Sequence, residues 1–363
     1  MERCLIVGAG AIGRGYIPWE LNNFEITFLD ANLMLVDSLA VSQKYKSFMS
    51  YGDRLECLDI DSSRTFSSVD EIDLSIFDLA FICVGPRNVG KLPSGLGKLT
   101  CLIYSLENDP ATVIQMRKIF NKSNIYFGIP DVITSLTASP ESLSQDSNAL
   151  HTENGVLYLE DHGDVPNSLK ELTPTIQWVA AEKMHTEWDA KLYLHNTPHC
   201  IAAFLGYIHN CTYVHEALKI PSIVTILEGV VGEILQTLKI LTDHDHTFME
   251  DYAKKEVRRF SNELLYDPII RVAREPLRKL HPNGRLLGAL RMAVSAGVVP
   301  TYLAVGVCSA LKYDHTGDQD YEYMKRIDII GVPTFLEYFL AVCPSSAESK
   351  LISVAYQQFD WSK

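Results

Sequence analysis

Three polar side chains suited to proton chemistry lie within nine residues, in the stretch Lys191-Leu-Tyr-Leu-His-Asn-Thr-Pro-His199. On an ideal α-helix Asn196 and His199 share a face because they are three residues apart, and Lys191 lies one to two turns earlier. A lysine can act as a base when desolvation lowers its pKa from ~10.4 to roughly 7–8. The stretch therefore predicts removal of a proton from a substrate alcohol. The alternative is an amphipathic helix with three solvated polar residues.

A glycine pattern near the amino end predicts a nucleotide site. The short apolar run 4–7 is typical of a buried parallel strand, and Gly8-Ala-Gly-Ala-Ile-Gly13 follows it directly. Glycines at this spacing permit a tight turn, close approach of the backbone to a pyrophosphate, and contact between helix and strand. A second strand, predicted at 25–29, ends at Asp30, whose carboxylate would bind ribose hydroxyls and repel a 2′-phosphate. The pattern favours NAD; the alternative is the same turn in another doubly wound fold.

Further strands complete the first half of the chain. Buried strands are predicted at 78–84, 100–104 and 125–128, and a strand near the sheet edge at 155–159. Ligands bind at the carboxyl ends of the strands of an open α/β sheet, so Asn108 is a candidate site residue. Its alternative role is a helix cap. Residues 138–154 are rich in Ser, Asn and Pro and are predicted to form a loop.

The pattern changes near residue 182. Beyond it, helical periodicity dominates and no alternating strand pattern remains. We therefore predict an α/β fold in which residues 1–182 form a Rossmann-type, doubly wound sheet domain. Residues 183–363 are predicted to form an all-helical domain that carries the Lys-Asn-His stretch. The sequence contains no internal repeat.

One basic cluster interrupts an acidic chain. The formal net charge is −13, which argues against a general nucleic-acid or anionic-membrane surface. The cluster comprises Arg271, Arg274, Arg278, Lys279 and Arg285, and Arg258 and Arg259 precede it. Such a local cluster of positive charge is suited to binding a phosphate or a carboxylate. The alternative is a solvated helix face paired with acidic neighbours.

The amino-acid composition narrows the possible classes of protein. A chain with 47% hydrophobic and 21% charged residues is ordinary for a globular protein. The eight cysteines form no C-x-x-C pair, which indicates reduced thiols and a cytosolic protein, and no signal peptide is expected. No apolar run reaches the ~20 residues that span a bilayer. The tetrapeptide 243–246, Asp-His-Asp-His, is expected to be a polar loop and not a metal site.

Together these motifs resemble the polyol-specific long-chain dehydrogenases over nearly the whole chain. The opening 8–15, Gly-Ala-Gly-Ala-Ile-Gly-Arg-Gly, matches the opening of that family. The strand ends at 27–32 and 84–86, the pair Glu107-Asn108 and the Lys-Asn-His stretch match its other motifs. The blocks 259–262 and 271–280 resemble its carboxyl-terminal blocks, and the latter points to the branch with phosphorylated substrates.

The resemblance implies a metal-independent, NAD-dependent interconversion of D-mannitol 1-phosphate and D-fructose 6-phosphate. The implied catalytic set is Lys191, Asn196, His199 and Asn108. Lys191 would be the general base, the two asparagines would donate hydrogen bonds to the developing alkoxide, and His199 would orient the substrate or the lysine. The implied cofactor contacts are Gly8, Gly10, Ile12, Gly13, Asp30, Asn32, Val84 and Gly85. The implied substrate contacts are Asp131, Arg259, Arg274 and Arg278.

Three positions depart from the family pattern. Pro198, Val132 and Glu263 stand where the family usually has Gly, Arg and Pro, respectively. These departures leave open a relative that acts on a non-phosphorylated polyol or a hexuronate. A catalytically silent NAD-binding regulator is the alternative from another class, although it would have no need of a proton-transfer set. Pro198 also predicts a kink near 194–198, or a helix that restarts with Thr197 as its cap.

Overall fold

The computed structural model describes residues 2–361. Residues 2–187 and 264–266 form one compact unit, and residues 188–263 and 267–361 form the other. A parallel sheet dominates the first unit and helices the second, so the predicted fold class is confirmed. The sequence-based boundary at residue 182 stays a prediction, and no sequence pattern indicates that 264–266 belong to the first unit.

Eleven strands lie in the first unit. They are β1 (Arg3–Val7), β2 (Glu25–Leu29), β3 (Lys44–Ser50), β4 (Leu55–Asp61), β5 (Thr65–Phe66), β6 (Leu79–Ile82), β7 (Leu102–Ser105), β8 (Ile125–Asp131), β9 (Leu150–Glu153), β10 (Val156–Asp161) and β11 (Gln177–Ala180). Eight of them form a sheet in the order β11-β10-β8-β7-β6-β1-β2-β5, and β4-β3-β9 form a second sheet. Pairing is parallel from β8 to β5, whereas β10 runs antiparallel to β8.

The centre of the large sheet creates a ligand-binding edge. Strands β1 and β6 are nearly all apolar and buried, as parallel strands covered on both faces must be. The chain leaves β1 toward β2 on one side, and β6 lies on the other side of β1. The strand order therefore reverses at β1, and the crevice outside the carboxyl ends at such a point is where ligands bind.

The predicted loop at 138–154 is wrong. This segment contains the helix Pro140–Gln145 and strand β9. Ser139 caps the helix by accepting a hydrogen bond from the backbone N–H of Ser142, so its polar residues serve as helix-end signals. Strand β9 pairs with β3, which is about one hundred residues away in the chain, and such pairing leaves no local pattern.

The helices of the first unit are mostly short. The α-helices are Ile17–Glu20, Leu33–Ser42, Ala111–Phe120, Pro140–Gln145 and Asn167–Leu172, and a π-helix spans Ala11–Tyr16. The 3-10 helices are Val69–Glu71, Leu74–Ile76, Pro86–Lys91, Ser94–Lys98 and Ala181–Lys183. The helix Met184–Asp189 and the 3-10 turn Glu263–Leu265 each include residues of both units.

The second unit contains helices and no strand among the residues described. Its helices are the π-helix Ala190–Asn196 and the α-helices Thr197–Ile208, Val214–Ala217, Pro221–Leu241, His246–Phe260, Ile269–Ala273, Pro276–Lys279, Leu287–Ser295, Thr301–Leu311, Tyr321–Met324, Ile327–Ile330, Val332–Leu340 and Ala347–Gln358. None of the described helices combines the length and apolar content that a membrane crossing needs.

One helix lies at the core of this unit. We call Ala190–Ile208 the central helix; its first part, Ala190–Asn196, is the π segment. Every residue from Leu194 to Gly206 is buried. Helices Pro221–Leu241, Ile269–Ala273 and Thr301–Leu311 pack around it. A helix enclosed in this way holds its polar side chains at fixed positions within an apolar core.

Candidate active site

The turn after β1 requires its glycines. Gly8 has a φ of +99°, and a Cβ there would lie 2.5 Å from the carbonyl oxygen of Cys83. A Cβ on Gly13 would lie 2.0 Å from the Gly8 carbonyl oxygen. At Gly10, by contrast, no described atom lies within 4 Å of the added Cβ position. The turn is therefore closed on its protein side and open at Gly10, which suits the approach of a phosphate.

Asp30 ties this turn to the next helix. One oxygen of the Asp30 carboxylate accepts the Ala9 N–H at 2.7 Å, and the other accepts the Asn32 N–H at 2.8 Å. Asn32 in turn caps Leu33–Ser42 by accepting the Leu35 N–H at 3.3 Å. A carboxylate has about four acceptor positions, so Asp30 can hold the turn and still accept hydrogen bonds from ribose hydroxyls.

The loop after β6 is fixed by a buried acid. The backbone N–H of Gly85 donates to Glu107 at 3.0 Å, and only 4% of Glu107 is exposed. Burial raises the pKa of Glu107 to about 7, although hydrogen bonds from the Gly85 and Val84 N–H groups oppose the rise. Asn108 lies three residues beyond the end of β7 and is exposed, and Asp131 ends β8, where it is buried. The structure thus places the predicted residues of this unit at strand ends of one sheet.

Because its pKa is raised, Glu107 should make stability depend on pH. The folded chain holds the proton to a higher pH than the unfolded chain, so this contribution is complete below about pH 4.5 and is lost as pH rises through about 7. Glu107→Gln removes this dependence. As pH rises from about 5 to about 8, the free energy of unfolding of the variant should therefore increase by roughly 2–3 kcal/mol relative to that of wild type. Urea unfolding measures this difference. The exposed Glu171→Gln serves as control, and a pH-independent difference for Glu107→Gln would contradict the assignment.

In the second unit all three residues of the predicted proton-transfer set are buried. The exposed fractions of Lys191, Asn196 and His199 are 4%, 6% and 8%. The alternative of three solvated residues on an amphipathic helix is therefore wrong. The surrounding apolar helices explain the difference, because they cover the polar residues together with the rest of the helix.

Pro198 changes the helix in a way that the sequence analysis did not anticipate. Thr197 does not act as a cap, because it has helical φ and ψ and its N–H bonds to the Leu192 carbonyl five residues earlier. The chain passes from the π segment directly into the α-helix, with proline in the first turn of the latter. The wider π register accommodates the missing N–H without a break. The prediction of a helix restarting at Thr197 is wrong.

The π register also aligns two of the polar side chains. In a π-helix residues five apart are one turn apart, as the hydrogen bond from residue i+5 to residue i requires. Lys191 and Asn196 are five apart and both belong to the π segment. They therefore share a face, whereas an α-helix would separate them by about 140°. The amide nitrogen of Asn196 has no hydrogen-bond partner among residues 2–361. A buried donor without a partner is costly and is suited to a ligand oxygen.

His199 is held from two sides. Its Nε2 lies 2.9 Å from a carboxylate oxygen of Asp267, and its ring stacks on Phe260 with centroids 4.9 Å apart. Burial alone would raise the pKa of Asp267, but Arg271 and the hydrogen bond from His199 outweigh it and hold this pKa below its usual range. An ionised Asp267 accepts the Nε2–H, so in a neutral ring Nδ1 is the acceptor.

Two further polar residues, which the sequence analysis missed, lie beside this set. His195 Nδ1 is paired with Glu256, and the other Glu256 oxygen is 2.5 Å from the guanidinium of Arg259. Two features of the sequence could have indicated His195 and Glu256. His195 lies four residues from both Lys191 and His199, and Glu256 occupies a core-facing position of the helix His246–Phe260.

The basic cluster is attached to the central helix. The Thr197 hydroxyl lies within hydrogen-bonding distance, 2.7 Å, of the Arg285 carbonyl. Arg278 is paired with Glu275 at 2.5 Å, and Arg271 is paired with Asp267. The side chain of Arg274 is exposed and has no ion pair or hydrogen bond within the described part of the chain. Arg274 is therefore the member best suited to an external anion.

Residues that depart from the family pattern, and residues of the Asp-His-Asp-His stretch 243–246, have contacts close by. Glu263 pairs with Lys219 at 2.5 Å on the surface, and Val132 is buried. His244 binds Asp189 at 2.9 Å, and Asp245 caps the helix His246–Phe260.

The chain is similar to dehydrogenases that act on polyols. Residues 187–331 match the family model of the mannitol dehydrogenase C-terminal domain. The chain is 27% identical to the mannitol-1-phosphate 5-dehydrogenase of Caldanaerobacter subterraneus subsp. tengcongensis, over 93% of this chain and 95% of that protein. It is also 27% identical to the enzyme of that name from Exiguobacterium sp., over 96% and 95%.

Solved structures show the same fold. Pseudomonas fluorescens mannitol 2-dehydrogenase, in a ternary complex with NAD and D-mannitol, superposes with a TM-score of 0.79 at 16% identity, over 98% of this chain and 91% of that one. A substrate-free D-sorbitol dehydrogenase superposes with a TM-score of 0.71 at 14% identity, over 97% and 92%. The resemblance to the polyol-specific long-chain dehydrogenases and the predicted dehydrogenase class are confirmed.

Proposed function

We propose that this chain is an NAD-dependent dehydrogenase that interconverts D-mannitol 1-phosphate and D-fructose 6-phosphate without a metal ion. The observation that carries the proposal is the π segment, which places buried Lys191 and the unpartnered amide of Asn196 on one face. The relatives named mannitol-1-phosphate 5-dehydrogenase support this substrate. Oxidation of NADH by fructose 6-phosphate, compared with fructose and fructuronate, tests it.

The proposed chemistry needs a base and an oxyanion donor. In the oxidation direction Lys191 accepts the proton of the substrate hydroxyl, while hydride leaves the same carbon. NAD, when bound, supplies the nicotinamide ring that receives this hydride. The Asn196 amide donates a hydrogen bond to the developing alkoxide, and Asn108 is a second candidate donor. His199, fixed by Asp267, orients the substrate or Lys191 through its second ring nitrogen.

NAD is the cofactor. Asp30 stands where a 2′-phosphate would meet a carboxylate, and its geometry is fixed by two backbone N–H groups. The similar mannitol 2-dehydrogenase was solved with NAD. Asp30, Asn32 and the Gly8–Gly13 turn would hold the adenosine and pyrophosphate, and the Val84-Gly85 loop would line the remainder. A protein that uses NADPH at least as efficiently as NADH would contradict this role of Asp30.

Phosphate recognition gives a prediction that separates two arginines. Arg274→Ala should raise the Michaelis constant for fructose 6-phosphate by about ten-fold or more, because a charge-assisted contact is worth roughly 1.5–3 kcal/mol. Arg278→Ala should raise it less, since Glu275 already neutralises Arg278. Steady-state kinetics measure both constants. The constant for fructose is the control and should change little in either variant. If fructose serves the wild type as well as fructose 6-phosphate, the phosphate role is wrong.

A further inference from the structure

Beside the proposed proton-transfer set, a buried pair joins the π segment to the helix His246–Phe260. His195 Nδ1 is hydrogen-bonded to Glu256, and the side chains are 4% and 1% exposed. The His195 ring also lies 5.4 Å from that of His199 and 5.3 Å from that of Phe260. The mechanism described above uses neither His195 nor Glu256.

Stability alone does not explain this pair. Removing a charged carboxylate from water costs several kcal/mol, and well-packed apolar residues often replace a buried ion pair at no loss. A second pair, His244 and Asp189, already joins residues just before these two helices, and its atoms lie 2.9 Å apart. A second polar connection is therefore not needed to fasten the helix to the π segment.

Glu256 differs from Asp189 in what else it binds. Its second oxygen accepts a hydrogen bond from the Arg259 guanidinium at 2.5 Å, so one buried carboxylate is shared between His195 and Arg259. The side chain of Arg259 is 10% exposed. A guanidinium carries five N–H groups, so Arg259 can be held by Glu256 and still donate to a ligand.

We propose that His195 and Glu256 are positioning residues that fix the Arg259 guanidinium for the substrate. This inference rests on the proposed function, in which Arg259 contacts the substrate. His195 holds one carboxylate oxygen and thereby orients the other toward Arg259. Preorganisation of this kind lowers the cost of ordering a flexible arginine when the substrate binds. Loss of either partner should therefore weaken substrate binding without affecting the binding of NADH.

A matched pair of histidine variants tests the proposal. His195→Leu removes the donor to Glu256, whereas His244→Leu removes the pair formed by residues just before the same two helices. We expect His195→Leu and Glu256→Gln to raise the Michaelis constant for fructose 6-phosphate by about ten-fold, with the turnover number and the NADH dissociation constant within about three-fold of wild type. His244→Leu should lower the melting temperature and leave the Michaelis constant unchanged.

His195→Asn is the rescue variant, because its amide can still donate to Glu256. Its Michaelis constant should lie near that of wild type. Equal Michaelis constants for wild type, His195→Leu and Glu256→Gln would overturn the positioning role, as would the same rise in His244→Leu. These outcomes are read against an active wild type; a wild type that does not reduce fructose 6-phosphate is instead a failure of the proposed function.

Discussion

Lys191→Ala should lower the turnover number by about 100-fold or more while NADH still binds. General base catalysis typically contributes 10²–10⁴-fold, and Lys191 is the buried amine that shares the face of the π segment with Asn196. Saturating kinetics give the turnover number, and a fluorescence titration gives the NADH dissociation constant. Lys183→Ala, at an exposed lysine shortly before this segment, is the control. A Lys191→Ala enzyme as fast as wild type would remove the base assignment.

His199→Ala should cost less than Lys191→Ala. A helix that restarts at Thr197 is not the reason, because the central helix is continuous. The structure gives a different reason, because His199 is committed to Asp267 through Nε2 and to Phe260 through its ring. Held in this way, His199 can orient a partner, whereas Lys191 is the group that we propose accepts the proton. A larger loss in His199→Ala would reverse the two roles.

Asn196→Ala should also lower the turnover number by about 100-fold, since removal of one oxyanion donor costs about 10²–10³-fold. Stability should respond differently. The amide nitrogen has no partner in the described chain, so its removal relieves a desolvation cost and should leave the melting temperature unchanged or higher. The matched contrast is Asn124→Ala, because the Asn124 amide donates to the Cys101 carbonyl at 2.9 Å. That variant should lose stability and keep its turnover number.

A combined result for Asn196→Ala decides between a catalytic and a structural role. Lower turnover with unchanged thermal stability is the expected outcome, measured by kinetics and by thermal unfolding of the same samples. A fall in melting temperature without a fall in turnover would show that the amide serves the fold.

The glycine turn after β1 could be predicted because most of its causes are local. Gly8 has a positive φ, Gly13 is required by contacts within the turn and β1, and Asp30 follows directly from the end of a strand. The fold class could be predicted because hydrophobic residues recur with different periods in strands and in helices. The pairing of β3, β4 and β9 could not be predicted, because the partial burial of β3 and β4 gives a weak pattern and β9 pairs with β3 only in the folded chain.

The arrangement of the polar side chains on the central helix depended on tertiary context. The residue types of Lys191, Asn196 and His199 were evident, but their geometry was derived from an ideal α-helix. A proline that breaks an isolated helix is accommodated here by a π register within a packed core. The core-facing position of Glu256 could be found from the sequence, but its pairing with His195, 61 residues away, forms only in the folded chain.

The most direct test of the proposed function is the oxidation of NADH by the wild-type protein with fructose 6-phosphate, fructose or fructuronate as acceptor. The measurement should be repeated with NADPH and after treatment with a chelator. We predict oxidation of NADH with fructose 6-phosphate at a much higher kcat/KM than with the other two, weak use of NADPH, and no loss of activity to the chelator. An equal or higher kcat/KM with fructose or fructuronate, or no activity with fructose 6-phosphate, would contradict the proposed function.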